Sequence, residues 1–249
     1  MHDYKAPEGL LKDRIIMVTG AGSGIGRTAA KTYAAYGATV ILLGRTISKL
    51  ESVYDEIENA GHPKPAIVPM NLEGAAVKDY EEMAMTIEDN FGRLDGLLHN
   101  ASLLGQRTPV EHSSPETWAK VMQVNATAPY LLTRAVIPLL RLSSDASVIF
   151  TSSSVGRKAR AYWGAYAVSK FATEGLSQLL ADELDDERHN VRVNSLNPGG
   201  TRTNMRALAY PGEAPSETPK PEDIMPIYLY LMGKDSQGVN GQQLDAQPK

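Results

Sequence analysis

The sequence predicts a doubly wound α/β domain built on a seven-stranded parallel sheet with helices on both faces. Three observations carry that reading. Short apolar runs recur along the whole chain, helix-length segments separate them, and the first run ends in a glycine cluster. Continuous apolar runs mark strands buried on both faces, which is the condition of a parallel sheet covered by helices.

Residues 14–18 are the first strand and run into the glycines; 39–43 are the second. Residues 66–70 are a third, weakened by Pro69, and 94–98 a fourth. Residues 147–151 and 191–195 are the fifth and sixth, with 242–244 a short last strand. The segments between them are long enough for crossover helices. The first spans 24–36 and stops at Gly37; the next spans 48–60, opens on the capping-box pattern of Ser48 and Glu51, and stops at Gly61. A third spans 75–91 before Gly92, and 115–142 is helical with bends expected at Pro129 and Pro138. Residues 166–187 read as an amphipathic helix, with Val168, Ala172, Leu176, Leu180 and Leu184 at a four-residue spacing. Residues 203–221 break the rhythm, with prolines at 211, 215, 219 and 221, and read as a functional loop, a lid over a substrate. Pro221 then restarts a helix with acids in its first turn. Residues 1–249 form one domain, with neither repeat nor linker.

Composition narrows the function. The chain has 249 residues, 25 Lys+Arg against 29 Asp+Glu, and no cysteine. The net charge of −4 argues against a general nucleic-acid surface. The lack of cysteine excludes disulfides, thiolate-held zinc and a thiol nucleophile. The five histidines are scattered with no H-E-x-x-H pattern, so no metal is expected. No apolar leader opens the sequence and no run reaches a membrane span, so a soluble, cytoplasmic protein is expected.

The first chemical motif is Thr19-Gly20-Ala21-Gly22-Ser23-Gly24-Ile25-Gly26, directly after the first strand. Glycines there let the backbone turn tightly and approach a diphosphate at a helix N-terminus, as in a Rossmann-type dinucleotide site. The spacing is not the strict G-x-G-x-x-G, and Arg27 after Gly26 excludes a Walker loop. The second strand ends in Leu43-Gly44-Arg45, with no carboxylate for the 2′-hydroxyl of NAD and an Arg for a 2′-phosphate. The cofactor read here is NADP(H).

Tyr166 and Lys170 stand four apart and share one face of a helix. An ammonium beside a phenol favours the phenolate, and such a tyrosine can exchange a proton with an alcohol or carbonyl. Tyr230 and Lys234 have the same spacing and are read as coincidence. The context of Tyr166 separates them: Ser152-Ser153-Ser154 ends the fifth strand, 13 residues before Tyr166 when counted from Ser153. Ligands of a doubly wound sheet bind beyond the carboxyl ends of its strands, which puts these groups at one edge.

This set resembles the short-chain dehydrogenase/reductase family over almost the whole chain. Residues 19–26 match its TGxxxGxG loop, and His99-Asn100-Ala101-Ser102 resembles its NNAG element. Asn125, Ser153, Tyr166 and Lys170 match its catalytic tetrad, and Pro198-Gly199 with Thr203 its PG element. Residues 151–157, 163–166, 197–203 and 223–226 look closest to the bacterial YciK-type branch. The resemblance implies a strand order of 3-2-1-4-5-6-7. It also implies that Tyr166 is general acid/base, that Lys170 lowers its pKa and holds the nicotinamide ribose, and that Ser153 bonds the substrate oxygen. Asn125 would support a water relay to Lys170. The cofactor would be held by Gly20, Ser23, Gly24, Ile25, Gly26, Arg45, Asn71, Leu72, Asn100, Ala101, Tyr166, Lys170, Pro198, Gly199, Thr201 and Thr203.

Three positions depart from the pattern. Ser102 replaces a glycine and His99 an asparagine, His99 being read as a neutral strand-end histidine. Asn71-Leu72 stands where an aspartate usually lies beside the adenine, and Asn71 keeps a carbonyl acceptor. Arg157, Lys158 and Arg160 read as a solvated loop, with a subsite for an anionic or aromatic group the sharper alternative. The reading is an NADP(H)-dependent oxidoreductase that moves a hydride between nicotinamide and a carbonyl or alcohol carbon of a small molecule. A homodimer or homotetramer with the Tyr166 helix at an interface is implied. The alternative is a non-catalytic NADP(H)-binding sensor or partner-binding protein on the same fold.

Overall fold

The structure, a computed structural model, describes residues 1–186 and 189–248. In chain order its elements are β1 (Ile15–Thr19), α1 (Gly24–Ala35), β2 (Thr39–Gly44), α2 (Ile47–Asn59), β3 (Ala66–Pro69), α3 (Val77–Phe91), β4 (Gly96–His99) and α4 (Pro115–Met122). There follow α5 (Ala128–Arg141), β5 (Ala146–Thr151), α6 (Gly164–Glu183), β6 (Asp185–Asp186), β7 (His189–Asn197), α7 (Asn204–Ala209), α8 (Met225–Met232) and β8 (Gln243–Asp245).

Seven strands run parallel in the order β3-β2-β1-β4-β5-β7-β8, the expected order once β6 is set aside. The two-residue β6 folds back antiparallel on the start of β7. Period-2 alternation sorts the strand side chains between two cores. Ile16, Val18, Val40, Leu42, Leu98 and Ile149 face α1, α2 and α8, while Met17, Ile41, Leu43, Leu97, Val148 and Phe150 face α3, α5 and α6. Each such fully buried aliphatic contributes roughly 1.5–3 kcal/mol, and burial on both sides explains why the strands lack polar alternation.

The N-terminal edge of the sheet is stapled by buried charge. Asp145 accepts from Arg14 Nη1 at 3.0 Å and from Arg192 Nη2 at 2.9 Å. Asp95 accepts from the Ile15 amide at 2.8 Å and from Ser143 Oγ at 2.6 Å. These bonds tie β1, β4, β5 and β7 at the edge opposite the site, leaving the carboxyl ends to the loops.

Several expectations need correction. The 115–142 segment is interrupted not at Pro129 but just before it, by a π-helical turn at Gln123–Thr127 that separates α4 from α5. The second helix is capped by Thr46 rather than Ser48, with no side-chain cap bond. Helix α6 ends at Glu183, and Glu187, its expected end, lies outside the described residues. The four-residue stripe is not its buried face: Val168 and Ala172 are exposed and only Leu180 and Leu184 are buried. A spacing of 4.0 in a helix of 3.6 residues per turn drifts about 40° per step, so the stripe crosses from one face to the other. The inner face is instead polar, with Ser169, Lys170, Thr173, Glu174 and Ser177 all buried. Residues 203–221 are not all loop, since they carry α7 and a short 3-10 turn at Pro215–Glu217. Among the described residues, no helix is long and apolar enough to cross a membrane.

Candidate active site

The sheet order reverses at β1, which lies between β2 and β4, and a crevice opens at the carboxyl ends of the strands there. A cavity of about 560 Å³ occupies it. One wall is the turn from β1 into α1. Gly20 and Gly24 take φ of +68° and +53°, where a side chain is strained. Ser23 stands at the N-cap of α1 in extended conformation and makes no cap bond with its side chain. The start of the helix therefore presents amides and the positive end of its dipole to the cavity, which suits a diphosphate. Gly26 lies behind this wall rather than on it: a Cβ there would meet the Gly20 carbonyl and come within 2.6 Å of Asn100 Nδ2.

Thr19 joins that turn to the loop after β4. Its Oγ1 accepts from the Asn100 and Ala101 amides at 2.9 and 3.0 Å. His99, at the end of β4, is 6 % exposed, stacks on Phe150 and lies 2.7 Å from Thr133 Oγ1. Burial, reinforced by the charge of Lys170, pushes its pKa down to about 3, so it is neutral, in agreement with the sequence reading. Ser102 lines the cavity and its Oγ is buried without a hydrogen-bond partner among the described residues.

At the far end of the cavity, Arg45 and Lys49 are exposed beside Asn71 and Leu72. Arg45 makes no hydrogen bond or ion pair among the described residues, a free guanidinium at the end of β2. Lys49, one helical turn after Arg45, was not singled out from the sequence; its Arg-x-x-x-Lys spacing was the available signal. Asn71 Oδ1 accepts from the Glu73 amide at 3.3 Å, so part of its acceptor capacity serves a local turn.

The opposite wall carries the Tyr166 and Lys170 pair. Tyr162 holds a left-handed φ of 71°, and the next residue, Trp163, stands at the N-cap of α6. Tyr166 and Lys170 follow on the inner face, 9 % and 3 % exposed. Lys170 Nζ donates to the Thr151 carbonyl at 2.8 Å and lies 5.6 Å from the Tyr166 ring centre. Burial raises the Tyr166 phenol to about 12, and its hydrogen bond with Ser153 acts the other way. Desolvation is the larger of these two effects. Burial also pulls Lys170 down to about 8, against the opposing pull of Glu174.

Asn125 belongs to the π-turn and does not reach the cavity. Its Oδ1 accepts from the Leu103 amide at 2.7 Å, and its Nδ2 donates to the Leu103 carbonyl at 2.9 Å and to Ser169 Oγ at 3.0 Å. Its side chain thereby fixes the loop after β4 against α6. Beyond β7, Pro198, Gly199, Thr201 and Thr203 line the cavity. Thr203 caps α7 by accepting from the Arg206 amide at 3.1 Å, and its methyl faces Gly24 across the cleft.

The space next to Tyr166 is walled by Leu104, Trp163, Met205, Ala209 and Tyr210. Arg107 stacks between Trp163 and Tyr210, 4.5 and 5.1 Å from their ring centres, and donates to the Ala209 carbonyl. Arg206 is paired with Glu213 and lies over Tyr210 at 3.8 Å. Leu104 and Arg107 were not among the sequence candidates, while Met205, Arg206, Ala209, Tyr210 and Glu213 fall within 203–221, the segment read as a lid over the substrate; their convergence depends on how α7 docks. Arg157, by contrast, is no substrate cation: it donates to Glu174 and Asp245, both at 2.9 Å, and to the Leu244 carbonyl. Lys158 and Arg160 are exposed and off the cavity wall.

A glycine turn and a Tyr/Lys/Ser group facing it across one crevice are the arrangement of a dinucleotide-linked oxidoreductase. The short chain dehydrogenase family model matches residues 14–214, and the chain belongs to that family. It is 52% identical over 248 residues to the uncharacterized oxidoreductase YciK of Escherichia coli K12, covering 100% of this chain and 97% of that protein. It also superposes on a short chain dehydrogenase structure from Pseudomonas syringae with TM-score 0.96 and 61% identity, covering 98% and 99% of the two chains. A short chain dehydrogenase from Escherichia coli CFT073, complexed with NADPH, matches with TM-score 0.94 and 53% identity over 97% and 100% of the two chains.

Proposed function

We propose that the protein is an NADP(H)-dependent carbonyl/alcohol oxidoreductase with Tyr166 as its general acid/base. The observation that carries the reading is the placement of Tyr166, Lys170 and Ser153 on the wall facing the glycine cradle of the same cavity. NADP(H) is supported by the free Arg45 with Lys49 nearby, and by the NADPH held in the Escherichia coli relative. When bound, the cofactor supplies the hydride; the protein supplies geometry and the proton.

In this reading Ser153 and Tyr166 bind the substrate oxygen, and the phenol donates its proton as charge develops there. A phenol near 12 is fully protonated at neutral pH and is still a stronger acid than the alcohol that forms, so it can pass its proton to the developing alkoxide, which suits the reductive direction. Lys170 stabilises the tyrosinate left behind. The side-chain amide of Asn125 holds Leu103 and Ser169, which leaves only its main-chain carbonyl to support a water relay to Lys170. The apolar wall of Leu104, Trp163, Met205 and Tyr210 suits a substrate with an apolar body, under a lid formed by 203–221.

The outward face of α6 bears Phe171 and Leu179, 44% and 53% exposed, which supports an oligomer with this helix at an interface. A cytoplasmic location belongs to the same reading. The test is Tyr166→Phe, assayed by NADPH absorbance against a panel of aldehydes and ketones. Turnover should fall by about 10²–10⁴-fold with NADPH binding retained. Full turnover in the variant would overturn the mechanism, and binding without turnover by the native protein across the panel would favour the sensor reading.

A further inference from the structure

Glu174 stands on the same buried face of α6 as the two residues just described. Tyr166, Lys170 and Glu174 occupy positions i, i+4 and i+8, one above the next. Glu174 is only 4% exposed, a position where a carboxylate persists when it is paired and hydrogen-bonded. It is both. Oε1 accepts from Ser152 Oγ at 2.5 Å and Arg157 Nε at 2.9 Å, and Oε2 accepts from Ser195 Oγ at 2.5 Å. Ser152 is the neighbour of Ser153, so the carboxylate grips the strand end that presents the substrate-binding hydroxyl. Arg157 continues to Asp245, which accepts from Asn197 Nδ2 at 2.9 Å, and Asn197 Oδ1 in turn accepts from the Gly199 amide at 3.1 Å. One connected network thus runs from Glu174, one helical turn beyond Lys170, to the loop after β7. The turn at Ser154–Gly156 is pressed on α6 so closely that a Cβ on Gly156 would lie 2.7 Å from Lys170 Cβ.

We infer that Glu174 is a positioning residue of the active site, which holds Lys170 in its cationic form and sets Ser153 and the post-β7 loop in register with it. The inference rests on the proposed function of Tyr166 and Lys170 and deepens it. The charged and titratable groups around Lys170 are Tyr166 and Glu174 on α6, His99 from β4, Arg157 from the turn after β5 and, through Arg157, Asp245 on β8. His99 is neutral and Tyr166 is a phenol, so Glu174 is the one group of this set that directly favours the ammonium. Burial alone would favour the neutral amine, and Glu174 opposes it.

The test titrates Lys170 in the free protein by the NMR shift of its 13Cε, identified with Lys170→Arg. Glu174→Gln keeps the shape and removes the charge, and should lower the Lys170 midpoint by about one pH unit or more. Arg157→Gln removes the cation that competes for Glu174, and should raise it. Opposite displacements support the inference, because a purely structural role predicts lower melting temperatures with no such sign change. An unmoved midpoint in both variants overturns it. If Glu174→Gln does not fold, Arg157→Gln decides alone: a rise supports the inference, no change or a fall overturns it. No substrate is used, so failure here is distinct from failure of the hydride reaction, which Tyr166→Phe tests.

Discussion

Gly26 packs so tightly beneath Gly20 that only a hydrogen fits between its Cα and the Gly20 carbonyl, with Asn100 Nδ2 closing the other side. The contact fixes the height of α1 under the glycine turn, and with it the direction in which the first amides of the helix point. Gly26→Ala should therefore weaken NADPH binding by at least about tenfold and destabilise the fold by about 1–3 kcal/mol, the usual range for overpacking. Fluorescence titration and a thermal melt measure the two effects. An unchanged dissociation constant would show that the turn relaxes freely.

Arg45 distinguishes the cofactors. With no partner among the described residues, its guanidinium costs nothing to redirect toward a 2′-phosphate. Arg45→Ala should weaken NADPH by about 10–100-fold, corresponding to about 1.4–2.8 kcal/mol, and leave NADH nearly unchanged. Equal losses for both would remove the 2′-phosphate assignment.

His99 makes stability depend on acid. Its folded pKa, about 3, lies below the ordinary 6.5, so between these values the unfolded chain binds more protons than the folded one. Stability from this group is complete above pH 6.5 and is lost as pH falls toward 3. A melting curve of the native protein should thus drop steeply between pH 6.5 and 4, and His99→Asn should flatten that drop. Parallel acid limbs would assign the loss to other groups.

Arg192 is 2% exposed and carries the charge staple at the far edge of the sheet. Arg192→Ala leaves Asp145 with Arg14 alone and strips the Leu231 and Gly233 carbonyls of a donor. Urea unfolding should show a loss of about 3–5 kcal/mol, the range for breaking a buried pair. NADPH affinity of the folded fraction should be retained, because the staple is remote from the cavity.

Phe171→Glu places a charge on the outward face of α6. If that face is an interface between copies, light scattering after size exclusion should show a smaller species than the native protein. An unchanged mass would move the interface elsewhere.

The strands and the two ends of the crevice were legible in the sequence because each rests on local information, whereas the strand order came only with the family resemblance. Apolar runs report burial on both faces, glycine clusters report backbone demands, and Tyr166 with Lys170 reports a shared helix face. Arg45 was legible because it ends a strand whose neighbour carries the cradle. What the tertiary structure decided is which polar groups are spent on one another. Arg157 read as a solvated loop residue, with a substrate subsite the alternative, yet Glu174 and Asp245 claim it from segments 17 and 88 residues away. The apolar stripe of α6 looked like its core face, yet the inner face is polar because Ser169, Lys170, Thr173, Glu174 and Ser177 are buried there. The acidity of Tyr166 also depends on the tertiary structure, since helix spacing reveals a neighbouring ammonium but not the depth of burial that raises the phenol. Local pattern fixes what a residue can do; desolvation and long-range pairing, which no local pattern encodes, fix what is left for it to do.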